Sequence, residues 1–404
     1  MNSHADRTNF AAAAGARRDQ VAQLALRLVA AASPNPPNDT RRIAETAAAL
    51  LAETIPTAEV SFHHGSETVV NLVARVRGAR PGRRIVFNGH LDTYPIGDRA
   101  AWTANPEGEL RDGRLFGRGA ADMKGGVAAS VAAVLSHLGG HGLPERGSIA
   151  FLITGDEEGE AVNGTIKLLK WAAERGEQFD HCLLGEPTNP RRLGEMLKIG
   201  RRGSLNGELV VHGKQGHAAY PQLAENPVPA MARFILALKE KPLDSGTAHF
   251  GPSNLEVTTV DVGNPARNVI AAEARASFNI RFNDTWTAES LALELRRRIA
   301  DAADAKTRYS LSFQPSNSAA FLTSPGPFVD LVAAAVAREC GSKPALSTSG
   351  GTSDARFIKD YCEVVEFGLI GETMHQIDEH IAIADLKALT RIYSDVIRRY
   401  FEPL

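Results

Sequence analysis

Ile149-Ala150-Phe151-Leu152-Ile153-Thr154-Gly155-Asp156-Glu157-Glu158-Gly159-Glu160 is an apolar run that stops at Gly155 and gives way at once to acid. A short, unbroken run of this kind reads as a strand buried on both faces, as in a parallel sheet. Its carboxyl end is therefore charged. Adjacent Glu157 and Glu158 repel one another in a dry cleft unless a cation sits between them or one of them holds a proton. A metal ion is the simplest partner.

The arrangement recurs on either side. Arg84-Ile85-Val86-Phe87-Asn88-Gly89 runs into His90-Leu91-Asp92, and Cys182-Leu183-Leu184-Gly185 runs into Glu186. Between them Gly117-Arg118-Gly119-Ala120-Ala121 delivers Asp122 to the head of a helix. Ligands of open α/β sheets bind outside the carboxyl ends of the strands, so His90, Asp92, Asp122, Glu157, Glu158 and Glu186 are expected to converge on one crevice. The Gly-rich approach to Asp122 resembles a phosphate cradle. It has no Lys-Ser/Thr pair after it and sets an acid where an anion would lie, so nucleotide binding ranks far below metal binding.

A chain of 404 residues exceeds what one hydrophobic core usually fills, so two domains are expected. Strands at 69–76, 84–87, 149–153 and 180–184 alternate with helices near 21–32, 41–53 and 164–174, the pattern of a wound, mostly parallel α/β sheet. From Arg202 the order becomes strand, helix, strand, strand, helix, strand: 205–211, 227–238, 255–262, 268–282 and the helix 288–302 fall within it. This reads as a smaller α+β insert of the ferredoxin-like kind, residues 202–312. The larger domain is then discontinuous, 1–201 and 313–404, with a last helix at 383–401 covering its sheet. Met1 to Arg17 has no stable period and is expected to fray.

Composition excludes several classes of partner. Net charge is −2, from 45 basic and 47 acidic residues, which gives no reason to expect nucleic acid or an anionic membrane. The substrate is expected to be a small molecule. No apolar run approaches the roughly 20 residues that span a bilayer, and no basic region precedes an apolar segment near Met1, so a cytoplasmic protein is expected. Cys182, Cys340 and Cys362 read as free thiols.

Histidine with Asp and Glu, and no thiolate, suits zinc, cobalt or manganese. Five carboxylates are too many for one tetrahedral ion but suit two ions sharing a carboxylate and a water, with Asp122 the best bridge. His90 can bind through one ring nitrogen while Asp92, two residues on, accepts the hydrogen of the other. From an extended backbone Glu157 and Glu158 point opposite ways, so one should ligate and the other serve as general base. His375, in Thr373-Met374-His375-Gln376, is the second imidazole, with His380 its near competitor. His217, in Gly216-His217-Ala218-Ala219-Tyr220-Pro221, can polarise a carbonyl oxygen.

Gly89-His90-Leu91-Asp92, Gly117 to Gly125, Asp156-Glu157-Glu158-Gly159, Gly185-Glu186-Pro187-Thr188, Arg201-Arg202-Gly203-Ser204-Leu205, Gln215 to Pro221, Ser349 to Asp354 and Met374-His375-Gln376 together resemble the motifs of the di-zinc M20 metallopeptidases. The resemblance implies two Zn2+ per subunit, with Co2+ or Mn2+ as substitutes. Asp122 would bridge both ions, His90 and Glu186 would complete one, and Glu158 and His375 the other. It implies Glu157 as general base, Asp92 as orienter of His90, a cis peptide after Asp122, and a homodimer through the insert in which His217 acts across subunits. Arg201, Ser204, Tyr220, Asn268, Arg281, Gly351 and Thr352 would meet the anionic ends of the substrate. The implied reaction is hydrolysis of N-succinyl-LL-2,6-diaminopimelate, or of another N-acyl amino acid such as N-acetylornithine. Members acting on the succinyl substrate commonly read His-Thr-Asp-Val-Val-Pro where this chain has His90-Leu91-Asp92-Thr93-Tyr94-Pro95.

Overall fold

The computed structural model describes residues 20–402, so the expectation for Met1 to Arg17 lies outside the described residues. The chain divides into two compact units, Met1–Ile199 with Thr323–Ser347 and Ser353–Leu404, and Gly200–Leu322 with Thr348–Thr352.

The first unit is built on an eight-stranded sheet in the order Glu59–His64, Val70–Arg77, Arg146–Thr154, Arg80–His90, His181–Leu184, Glu363–Glu366, Met196–Lys198, Ala345–Ser347. The four central strands, from Arg146–Thr154 to Glu363–Glu366, are mutually parallel, and Val70–Arg77 and Met196–Lys198 turn against them on either side. Ile85, Val86, Phe87, Ile149, Phe151, Leu152, Leu183 and Leu184 are all buried, which is why these strands read as unbroken apolar runs. Side chains alternate across a strand. Phe87 meets Tyr393 of the helix Ile383–Phe401 at 5.5 Å between ring centroids, whereas Asn88 turns to Thr165 of the helix Thr165–Glu174 at 3.3 Å. The sheet is thus covered on both faces, the wound α/β architecture expected.

Register brings the functional ends together. His90 lies beside Thr154 and Asn88 beside Leu184, so the turns after all three strands open on one edge. The helix Gly125–His141 enters beneath that edge. A Cβ on Gly126 would stand 2.3 Å from the carbonyl oxygen of Gly185, so only glycine lets the helix start so close to the Glu186 strand.

The second unit is a four-stranded antiparallel sheet in the order Asn254–Asp261, Glu273–Phe282, Gly203–His212, Arg308–Phe313. Ala274, Ala276, Phe278, Ile280 and Phe282 form one buried face of its longest strand, and Met231, Phe234, Leu291, Leu295 and Ile299 of the helices Val228–Lys239 and Ala288–Ala302 pack on the same core. Thr287 starts the second of these helices with a capping box closed by Ser290. The expected strand 268–282 is interrupted. Val269–Ile270 pairs with Gly216–His217, and the main sheet resumes at Glu273. The unit also takes in more chain than 202–312, because Phe321–Leu322 pairs with Gly200–Arg201 and Arg201 Nη1 donates to the Gly351 carbonyl at 3.0 Å. Among the described residues no helix is long and apolar enough to cross a membrane.

Candidate metal centre

Two groups of possible ligands lie at the open edge of the first unit, His90 with Asp122 and Glu186, and Asp122 with Glu158 and His375, the ligand atoms of each within 4.8 Å of one another. Asp122 belongs to both. Its Oδ1 is 3.1 Å from His90 Nε2 and its Oδ2 is 3.3 Å from His375 Nε2, so the carboxylate presents one oxygen to each imidazole. Glu186 Oε1 is 3.9 Å from His90 Nε2, and Glu158 Oε1 is 2.9 Å from His375 Nε2. Two donors each about 2.0–2.1 Å from a tetrahedral ion stand roughly 3.4 Å apart. The observed separations bracket that spacing in the His90 group, at 3.1 and 3.9 Å, and fall at or just below it in the His375 group, at 3.3 and 2.9 Å, and the hard and borderline donors suit a divalent cation.

Local structure explains how Asp122 comes to sit there. Gly119, at φ 83°, turns the chain into Ala120–Lys124, and the Asp122–Met123 peptide is cis, as the resemblance implies. Glu379, wholly buried, accepts the main-chain N–H groups of Ala121 at 2.9 Å and Asp122 at 3.2 Å, and is itself paired with Arg118 at 2.7 Å. Glu379 thus clamps the backbone that carries the shared aspartate. Nothing in its sequence position singled it out, beyond an acid four residues after His375.

Asp92 is held differently from expectation. His90 Nδ1 bonds the main-chain carbonyl of Asp92 at 2.8 Å, whereas the nearer carboxylate oxygen lies 3.7 Å away. The tautomer of His90 is still set by Asp92, but through its backbone. The carboxylate turns the other way and accepts N–H from Glu157 at 3.0 Å, N–H from Glu158 at 3.0 Å and the amide of Asn35 at 3.0 Å. Glu157 and Glu158 therefore leave a bend fastened to Asp92 rather than an extended strand. Asn35, in a proline-rich loop with cis bonds at Pro36 and Pro37, also reaches Asp156 at 3.3 Å.

The electrostatics follow from packing acids and imidazoles out of water. Burial pushes the Asp122 carboxyl up, but hydrogen bonds with His375 and His90 and their charge outweigh it and hold the group well below the usual range. His375 is lifted to about 10, first by its bond with Asp122 and then by Glu158. Burial opposes charge on His90, yet Asp122 and Glu186 raise it well above its ordinary value. Three acids and two imidazoles packed together out of water thus make a place that favours positive charge. Glu157 belongs to neither ligand group. Burial drives its carboxyl up to about 8, against the charge of His90.

The residues expected to polarise the carbonyl or to meet the substrate lie in the second unit, in two small sets. His217 and Tyr220 share one turn and Asn268 meets it from a separate segment, with Ala218 N–H donating to the Asn268 carbonyl and Tyr220 N–H to the His217 carbonyl, both at 2.9 Å. His217 is exposed, and its Nδ1 accepts Ala219 N–H at 3.0 Å, so the neutral ring carries its proton on Nε2 and offers a donor. Ser204 lies beside Arg281 across adjacent strands, and Arg201 holds Gly351, next to Thr352.

Comparison with known proteins gives the arrangement its context. The model of peptidase family M20/M25/M40 matches residues 86–399. A protein of Methylorubrum populi named succinyl-diaminopimelate desuccinylase is 63% identical over 338 residues, 83% of this chain and 87% of the relative. One of the same name from Bradyrhizobium sp. is 54% identical over 367 residues, 90% and 95% of the two chains. Among solved structures, a tripeptidase from Staphylococcus aureus superposes with TM-score 0.77 at 18% identity, covering 96% of this chain and 99% of its own. A dinuclear metal binding peptidase of the M20 family from Bacillus subtilis gives 0.72 at 16%, covering 96% and 100%. The matched span takes in both ligand groups and the general-base candidate, and with the extent of the relatives it places this chain in peptidase family M20/M25/M40.

Proposed function

We propose that this chain is a metal-dependent amidohydrolase that cleaves N-succinyl-LL-2,6-diaminopimelate to succinate and LL-2,6-diaminopimelate. The observation that carries this reading is the 63% identity, over most of both chains, with a relative named for that reaction. The site supports it. His90, Asp122 and Glu186 would hold one Zn2+, and Asp122, Glu158 and His375 the other, with Co2+ or Mn2+ able to substitute. Bound as a pair, such ions supply a Lewis acid for the amide carbonyl and lower the pKa of water from 15.7 toward about 7.

Glu157 takes a proton from the attacking water and passes it to the leaving amine. Asp92 holds the Glu157 backbone in place for this through the N–H bond already described. Arg201 and Arg281, with Ser204, Gly351 and Thr352, receive the substrate carboxylates, for which guanidinium forks are matched. Tyr220 and Asn268 flank His217, whose Nε2–H meets the carbonyl oxygen as negative charge develops on it. The chain works as a cytoplasmic homodimer joined through the second unit, each His217 serving the partner's site.

Two experiments test the reading. Zinc-loaded protein should hydrolyse the succinyl substrate with a kcat/KM at least about a hundredfold above that for N-acetylornithine, since two charged forks lose their carboxylate on the acetyl compound. Preference for the acetyl substrate sinks the assignment. Mixing His217→Ala with Glu157→Ala protein should restore roughly a quarter of wild-type turnover, because half of randomly paired dimers are mixed and each has one intact site. No recovery in proven mixed dimers rules out action across subunits.

A further inference from the structure

His375 is the least secured of the five candidate ligands. It sits on a loop, at φ 63°, with its side chain 38% exposed. His90 has its far nitrogen bonded to a carbonyl, but among the described residues no hydrogen bond reaches His375 Nδ1. Imidazoles that bind metals are almost always oriented through that second nitrogen. The contact the structure does give this ring is an aromatic one.

The structure places the Tyr94 ring face to face with it, 4.8 Å between centroids and 15° from parallel. Tyr94 is anchored from both sides. Its neighbour Thr93 is tied to the Ser33 carbonyl and the Asn35 N–H, each at 2.9 Å, and Pro95 follows. The Arg118 guanidinium lies 5.9 Å from the Tyr94 ring centroid and 5.3 Å from that of Trp102. Arg118 is the partner of Glu379, which clamps Asp122. One chain of contacts, Glu379 to Arg118 to Tyr94 to His375, therefore reaches both the shared aspartate and the loop-borne imidazole.

We propose that Tyr94 is a positioning residue for the second metal ion, holding the His375 ring by stacking in the role that a hydrogen bond to Nδ1 otherwise fills. The inference rests on the assignment of His375 as a ligand. A ring face constrains tilt without demanding a particular proton location, which suits a ligand carried on an exposed loop. It also gives a physical use to an aromatic where the resemblance leads one to expect valine. Tyr94 is 48% exposed, so its removal leaves the core intact.

The test is competition with a chromophoric chelator, which resolves the two zinc affinities of Tyr94→Ala, Tyr94→Phe and His375→Ala proteins. Tyr94→Ala should bind one ion as wild type does and the second roughly tenfold more weakly, the lower end of the effect of losing an outer partner. Its turnover at limiting zinc should fall and recover when zinc is raised. Tyr94→Phe should keep both affinities, since the ring face is retained. Unchanged affinity for both ions in Tyr94→Ala, with His375→Ala losing the second, overturns the positioning role alone. Two ions retained in His375→Ala overturns the ligand assignment beneath it.

Discussion

Glu157→Ala protein is expected to keep its metal and lose about 10²- to 10⁴-fold in kcat, the usual contribution of a positioned proton-transfer group. Geometry separates Glu157 from its neighbour. Glu158 is 2.9 Å from His375 Nε2, whereas Glu157 takes part in neither ligand group. Both are hung from the Asp92 carboxylate by their N–H groups, so the bend that aims one aims the other. Burial raises the Glu157 carboxyl to about 8, the mark of a group with a high affinity for protons, which is what removing one from water requires. A base works only when ionised. The rate it supports is present above its pKa and lost as pH falls through it, so the acid limb of kcat/KM should vanish in Glu157→Ala. Elemental analysis beside steady-state kinetics checks both halves. A variant retaining more than a tenth of the turnover, at full metal content, refutes the base assignment.

The parts of this site that were legible in the sequence are those written locally. An apolar strand ending in an acid announces both burial and charge within a dozen residues, and three such ends converge because parallel register lines them up. The helices 288–302 and 383–401 were likewise readable from their apolar spacing. What escaped was carried by contacts with no local signature. Glu379 reaches Asp122 across 257 residues, and Asn35 reaches Asp92 across 57. The choice between the carboxylate and the backbone of Asp92 depends on where its neighbours' N–H groups fall, which spacing alone does not encode. The strands Met196–Lys198 and, at the sheet's edge, Ala345–Ser347 have three residues each, too few to show a period. The hairpin Glu109–Arg111 with Arg114–Phe116 is likewise made of three-residue strands, set between Gly108 and Gly117, and shows no period. In His217 the sequence showed the imidazole, but only the Ala219 N–H reveals which nitrogen keeps the proton.

Asp122→Asn should have the opposite signature to Glu157→Ala in one respect. Turnover falls in both, here below roughly a thousandth of wild type, but in Asp122→Asn bound metal falls too, from two ions per chain to at most one. The two carboxylate oxygens serve different groups, at 3.1 Å from His90 and 3.3 Å from His375. An amide keeps one oxygen and turns an NH2 toward the other imidazole, so whichever way it flips one group loses its shared acceptor and faces a donor instead. The Glu379 clamp acts on the backbone and is indifferent to the substitution, which keeps the turn in place and makes the change a test of the side chain. Circular dichroism should therefore match wild type while metal content does not. Retention of two ions would mean that Glu158 and Glu186 hold the pair without a shared ligand. Turnover lost in both variants, with metal kept in one and lost in the other, separates the residue that moves the proton from the residue that gathers the charge.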